Sequence, residues 1–215
     1  MTRFAISGSY LYLVDHSSVK VFSIIEDAFQ EVRVVPISFG METIFAKGDY
    51  LYLGASDAMY IYSIADRTDP SFVFRYQHIV SCDPVVVQGD RAYVTLRSGS
   101  WCNRGTNALE IIDISDPYQP VLISNHPMSS PHGLAIDDNL LFLCEGEYGL
   151  KVFDVANEQQ IELLEHRDDF FAYDVIAREG VATITGEDGI FQFSYGETPH
   201  EITLLSKIPV LRADL

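Results

Sequence analysis

The side chains best equipped for chemistry in this sequence are a few scattered acids and one loop histidine. They are Glu42, Asp83, His132 and Asp174, with Tyr173 beside the last. Oxygen-rich groups of this kind suit a hard cation such as calcium or magnesium, and an imidazole extends the choice to a transition metal. A divalent cation is therefore the only cofactor these residues suggest, with Glu42, Asp83, His132 and Asp174 as its ligands. The competing reading is structural: the same side chains cap strand starts and accept bonds from backbone N–H groups. A second group surrounds Trp101, the only tryptophan, which has Arg97, Cys102 and Arg104 near it in a Gly/Ser-rich stretch. Aromatic plus arginine is the composition of an interface hot spot. No Gly-x-Ser-x-Gly, phosphate-binding glycine loop, His-Glu-x-x-His or dinucleotide fingerprint occurs, so no catalytic residue is assigned. Glu42 and Asp83 could act as a carboxylate pair in glycoside hydrolysis, but their spacing does not select that use.

What positions these residues is a repeat. Gly8-Ser9-Tyr10-Leu11-Tyr12-Leu13 recurs as Gly48-Asp49-Tyr50-Leu51-Tyr52-Leu53 and as Gly89-Asp90-Arg91-Ala92-Tyr93-Val94. It returns as Asp138-Asn139-Leu140-Leu141-Phe142-Leu143 and as Glu179-Gly180-Val181-Ala182-Thr183-Ile184. The spacings are 40, 41, 49 and 41 residues, and the surplus of the third copy lies around 97–105. A second apolar segment keeps the same beat at Val19–Ser23, Met59–Ser63, Leu109–Asp113, Leu150–Asp154 and Ile190–Ser194. A first strand, a tight Gly/Asp/Asn turn, these two strands and a ragged fourth strand complete each unit. Asp116-Pro117-Tyr118-Gln119-Pro120 shows the turn before the fourth strand, where proline fixes φ. A four-stranded antiparallel unit of about 40–45 residues, repeated, is the sequence form of a propeller blade. The expected fold is an all-β, five-bladed β-propeller. It is expected as one domain over 1–215, with blades near 1–40, 41–81, 82–130, 131–171 and 172–215.

Leu109-Glu110-Ile111-Ile112-Asp113-Ile114-Ser115-Asp116-Pro117, followed by Pro120, resembles the LVIVD repeat, a β-propeller family. Leu150-Lys151-Val152-Phe153-Asp154-Val155 is a second match, while the other copies carry Ser23, Ser63 and Ser194 at the Asp position. The resemblance implies the fold and no catalytic residues.

In a propeller the residue before each first strand sits at the mouth of the central channel. That column reads Thr2, Glu42, Asp83, His132 and Tyr173, and the next adds Arg3 and Asp174. Loops between second and third strands on the same face add Asp15, Asp57, Glu145, Glu147, Glu187 and Asp188, so an acidic face is expected. The long third-copy loop is expected over or beside this mouth with Trp101 partly exposed, since unusually long loops on a rigid scaffold often carry binding. The candidate ligand-binding set is thus Glu42, Asp83, His132, Tyr173, Asp174, Arg97 and Trp101.

Bulk properties narrow the partners. The 215 residues include 14 basic against 31 acidic, a formal charge of −17, which argues against nucleic acid and against anionic membrane surfaces. No apolar run approaches the roughly 18 residues needed to span a bilayer, so no membrane insertion is expected. Nor does the N-terminal stretch have signal-peptide character. Cys82, Cys102 and Cys144 are odd in number and lack CxxC spacing, which leans toward reduced thiols in a cytoplasmic setting. The leading expectation is a non-catalytic binding or scaffold propeller that recognises a protein or small polar ligand on an acidic face. The alternative is a metal-assisted hydrolase of a carbohydrate or phosphate-type substrate at the channel mouth.

Overall fold

Two-residue turns fold each repeat back on itself. In the computed structural model, which describes residues 3–26, 28–37, 40–55, 57–77, 84–98, 107–196 and 202–210, every regular element among them is a strand. Blade one consists of β1 (Phe4–Ser7), β2 (Tyr10–Val14), β3 (Ser18–Ile25) and β4 (Ala28–Pro36). Blade two is β5 (Met41–Lys47), β6 (Tyr50–Ala55), β7 (Ala58–Ser63) and β8 (Ser71–Gln77). Blade three follows with β9 (Val85–Gln88), β10 (Arg91–Leu96), β11 (Ala108–Asp113) and β12 (Val121–Pro127). Blade four holds β13 (Leu134–Asp137), β14 (Leu140–Cys144), β15 (Leu150–Asp154) and β16 (Glu162–Arg167). Blade five ends the series with β17 (Ala172–Arg178), β18 (Val181–Gly186), β19 (Gly189–Ser194) and β20 (Thr203–Pro209). Each blade is a separate four-stranded sheet of consecutive strands, and the five make the expected all-β propeller fold. No helix among the described residues is long and apolar enough to cross a membrane.

The turn between first and second strands needs a left-handed residue at its first position. Gly8, Gly48 and Gly89 supply it with φ of 54–59°, while Asp138 and Glu179 take the same conformation at 51° and 53°. After the third strand the chain turns on side-chain acceptors. Asp113 and Asp154 each accept from the N–H two residues on, Ser115 and Ala156, at 2.8 Å. Three residues later Asp66 accepts from Thr68 N–H at 2.9 Å, and Asp116 from Tyr118 N–H at 2.9 Å. The two aspartates of the Asp-x-Ser-Asp-Pro stretch are therefore turn formers, each replacing a backbone partner. The Ser115 bonds hold the Asp113 carboxyl below its ordinary range, and the Thr68 hydroxyl does the same for Asp66.

The chain divides into two compact units, 1–125 and 126–215, with the outer strand of blade three running across the boundary. In the first unit, Tyr12, Val14, Val19 and Val21 of blade one bury against Met41, Ile44, Leu51 and Leu53 of blade two. The other face of blade two, through Tyr52, Met59 and Ile61, buries against Val85, Val87, Ala92 and Val94 of blade three. Arg67 ties blades one and two, donating to Ser7 Oγ (2.9 Å), Gly48 O (3.0 Å) and Asp49 Oδ1 (2.7 Å). In the second unit, Phe142, Leu150 and Val152 of blade four pack on Val175, Ile184, Phe191 and Phe193 of blade five. Tyr195 reaches back to blade four, donating its hydroxyl to Asp137 at 2.5 Å. Glu42 and Tyr173 thus fall between blades whose facing sheets are buried against each other.

Candidate functional site

The first strand of a blade enters beside the end of the second, and hydrogen bonds there fix which residues are equivalent. Val14 N–H donates to Arg3 O (2.9 Å), Thr95 N–H to Pro84 O (3.1 Å) and Cys144 N–H to Gly133 O (2.9 Å). In blades two and five the same place is a β-bulge. Met41 pairs with Ala55 and Thr43 with Gly54, leaving Glu42 as the extra residue. Ala172 pairs with Gly186 and Asp174 with Thr185, leaving Tyr173 extra. In blade four, His132 N–H donates to Cys144 O at 2.7 Å while Gly133 O accepts from the same residue, so His132 holds the equivalent place. A bulge bends the strand and re-aims a side chain, a device common beside functional sites. Of the column read from the sequence, Glu42, His132 and Tyr173 occupy this position.

Within the second unit the site is aromatic. His132 Nδ1 lies 2.7 Å from Ser130 O; a carbonyl only accepts, so Nδ1 carries the proton and the lone pair of the neutral ring is on Nε2. The ring meets Phe171 and Tyr173 edge-on, at centroid distances of 6.0 and 6.4 Å, and those two rings are 4.6 Å apart. Tyr173 is 44% exposed, as is Tyr148 in the loop between β14 and β15. Two glycines make room for this cluster. A Cβ on Gly146, whose φ is +58°, would stand 2.7 Å from His132 Cε1, and one on Gly133 would overlap Asp174 Oδ1. Asp174 Oδ1 accepts from Val175 N–H at 3.1 Å, capping the strand after the bulge.

Within the first unit the site is charged. Glu42 is half-buried, and that desolvation raises its carboxyl above the ordinary value; the positive fields of Arg97, Arg3 and His16 act in the other direction. Arg97, just after β10, therefore lies within electrostatic reach of Glu42. Asp83 and Trp101 lie outside the described residues, as do Thr2, Cys82, Cys102 and Arg104. Among the described residues no group of three or more His, Cys, Asp or Glu side chains is arranged to hold a metal ion.

The acidic loops are more neutralised than their composition suggests. Asp15 accepts from Ser17 and Ser18 N–H and pairs with Lys20 at 3.6 Å. Asp57 pairs with Arg75 at 2.5 Å and accepts from Tyr60 OH at 3.2 Å. Glu145, expected on the surface, is instead wholly buried: its Oε1 accepts from Ser129 N–H at 2.7 Å and its other oxygen pairs with the Lys151 ammonium. Cys144 beside it is buried too, which pushes its thiol well above the usual value and makes it inert. A cavity of about 410 Å³ lies at the opposite end of blade four, among Asp137, Asp138, Asn139, Asp154 and Tyr195.

Sequence reasoning placed the column but missed its aromatic wall. The signal was present: two aromatics, Phe171 and Tyr173, flank the start of β17, and Gly133 and Gly146 mark close backbone approach.

Comparison with known proteins agrees with the repeat. Residues 42–78 and 81–126 match the LVIVD repeat. Blades two and three are LVIVD repeats. The turn-forming aspartates Asp66, Asp113 and Asp116 all lie in these LVIVD segments. No curated protein matches the sequence. Among solved structures, a functionally unknown protein from Desulfotomaculum acetoxidans superposes with a TM-score of 0.80 at 10% identity, over 97% of this chain and 70% of that one. The periplasmic gluconolactonase of Pseudomonas aeruginosa gives 0.76 at 14%, over 94% and 68%. A putative 6-phosphogluconolactonase from Bacteroides fragilis gives 0.75 at 14%, over 96% and 69%. At these identities the likeness shows the propeller fold alone.

Proposed function

We propose that this chain is a non-catalytic binding propeller whose recognition face is the one carrying the bulge residues, and that it takes a protein segment or a small polar ligand there. The observation that supports this reading most is the bulge at Tyr173, which places a half-exposed phenol on a rigid platform with Phe171 and His132. Tyrosine on a rigid backbone offers contact area and a polar tip at low entropic cost. In the first unit, Glu42 with Arg97 and Arg3 puts charges of both signs at its own bulge. Asp15, Asp57 and Glu145 in the neighbouring loops are each paired with a basic residue of their own blade, which leaves these three less free to hold a cation.

The test uses a panel of short peptides, sugar acids and sugar lactones, with binding read from NMR shifts and from the fluorescence of the single tryptophan. Binding is expected to weaken with Tyr173→Ala and with Arg97→Glu, and to be unchanged by Ile208→Ala at the outer edge of blade five. The gluconolactonase and the putative 6-phosphogluconolactonase that share the fold make glucono-lactone the right enzymatic control. Turnover of that lactone or of a phosphate ester, abolished by Glu42→Gln, would replace the binding reading with the hydrolase.

A further inference from the structure

Neighbouring blades meet along grooves, and at the end where the first strand turns into the second the same positions line each groove. The backbone fixes which residues are equivalent. Ile64 N–H donates to Asp49 O at 2.8 Å, Ile114 N–H to Asp90 O at 2.9 Å and Tyr195 N–H to Gly180 O at 2.9 Å. Ser7 pairs with Tyr10, Lys47 with Tyr50 and Asp137 with Leu140, so these three first-strand ends correspond. In the first unit the chain fills this place with its own cations. Between blades one and two, the Arg67 guanidinium donates to Ser7 Oγ, Gly48 O and Asp49 Oδ1. Between blades two and three, the Lys47 ammonium stands 3.7 Å from Asp90 Oδ1.

Between blades four and five the same place is a cavity of about 410 Å³, and its charge is reversed. Asp137 stands where blades one and two have Ser7 and Lys47. Asp154, paired with Leu140, stands where they have Ser23 and Ser63. Gly180 replaces Asp49 and Asp90, which leaves one side chain fewer in the groove. Counting along the sequence, the place of Arg67 falls to Thr198, outside the described residues. Among the described residues lining the cavity none is basic. The described Lys and Arg side chains of this unit are engaged elsewhere: Lys151 with Glu145, Arg167 with Glu165 and Asp169, Arg178 with Glu179, and Lys207 over the Phe191 ring. Tyr195 donates its hydroxyl to Asp137 Oδ2 at 2.5 Å, and Asp154 Oδ1 accepts from Ala156 N–H at 2.8 Å. Each carboxylate is thus oriented through one oxygen, and its other oxygen has no hydrogen-bond partner among the described residues.

We propose that this cavity binds the guanidinium group of a ligand, seated against Asp137 and Asp154 at the place that Arg67 fills between blades one and two. Acids alone attract any cation; the guanidinium held at the same place by the same repeat selects this one. A guanidinium is planar, permanently charged and carries five donors in a fork, which suits two carboxylates that each have an oxygen to offer. Leu140 and the Tyr195 ring supply apolar surface for an alkyl stem or for the flat face of the group. The volume is that of a small-ligand site. The site lies at the opposite end of blade four from the recognition face and does not rest on that reading. Its ligand is either a free guanidinium compound or an exposed arginine of another protein, and the test separates the two.

NMR titration of the isotope-labelled full chain uses agmatine, N-acetyl-arginine amide and N-acetyl-citrulline amide as probes. The two guanidinium compounds are expected to shift the Gly180 and Gly196 amide signals saturably. Citrulline, of similar shape without the charge, is expected to leave them in place. Tighter binding of agmatine identifies a free small cation as the ligand type, and tighter binding of the arginine amide identifies an arginine side chain; both uphold the site. Asp137→Asn and Asp154→Asn keep the acceptors for Tyr195 and Ala156, and each should raise the dissociation constant at least about tenfold. Should Asp137→Asn fail to fold, Asp154→Asn decides alone. Ile208→Ala, at the outer edge of blade five, should leave binding intact. The proposal is overturned if neither guanidinium compound shifts the two glycines saturably, or if citrulline binds as well as arginine. Binding indifferent to both Asn changes also overturns it, since that would be diffuse attraction of a cation to an acidic surface.

Discussion

Lys151→Met isolates the cost of the buried ion pair under the candidate site. Glu145 has no exposed surface, and its partner Lys151 has a side chain 16% exposed. Removing the ammonium leaves a carboxylate with one remaining hydrogen bond, from Ser129 N–H at 2.7 Å, and no route to solvent. Breaking a buried pair from one side costs about 3–5 kcal/mol, because the surviving charge is uncompensated. The reverse change, Glu145→Gln, keeps an acceptor for Ser129 and leaves a lysine that can snorkel outward along its partly exposed stem. Its cost should be smaller, about 1–3 kcal/mol. The double variant removes both charges and should recover most of the loss. For a chain of this size about 2–4 °C of Tm accompanies each kcal/mol. Urea unfolding of the four proteins gives the cycle. Equal effects of the two single changes, or losses under about 1 kcal/mol for Lys151→Met, would refute the claim that Glu145 is sealed from water.

Gly146→Ala should cost about 1–3 kcal/mol from its left-handed backbone and displace His132, so the Cε1 proton of that ring should shift in an NMR spectrum while distant signals hold. Asp15, Asp66 and Asp113 have folded carboxyls held low by hydrogen-bond donors, so their contribution is present above the ordinary carboxylate range and lost as pH falls through the lowered folded values. Urea midpoints should therefore drop on acidification below about pH 4, and Asp113→Ala should make that drop shallower. Tyr173→Ala should change stability by less than about 1 kcal/mol, since the residue is half-exposed, and act on ligand binding alone; a larger loss in thermal unfolding would make Tyr173 a packing element.

Much of this was legible because it is local and repeated. Gly8, Gly48 and Gly89 announce the turns, and period-two apolar segments announce the inner strands. The column of Glu42, His132 and Tyr173 follows from counting back from those turns. Other features depend on partners that no local pattern reveals. Glu145 looks like one more loop acid until Lys151, six residues on, is seen to fold beneath it. Thr183 and Gln192 look like ordinary strand residues; only alignment with Tyr12 and Val21 shows that they replace core side chains.

One recurrent detail has consequences for survival in a crowded cell. In blades one, two, four and five the pairing of third and fourth strands slips by one residue at the same repeat position: Val21/Phe22, Ile61/Tyr62, Val152/Phe153 and Gln192/Phe193. In these four blades the outer strand is the edge of its sheet, an invitation to any extended foreign chain. A straight intruder needs evenly alternating partners, and the bulge breaks that alternation midway along the edge while increasing the local twist. The same irregularity, at one repeat position, works against edge-to-edge aggregation in every blade that carries it. Restoring a straight outer strand by deleting one residue opposite the slip would expose that edge to fibril-like association before it changed anything at the candidate site.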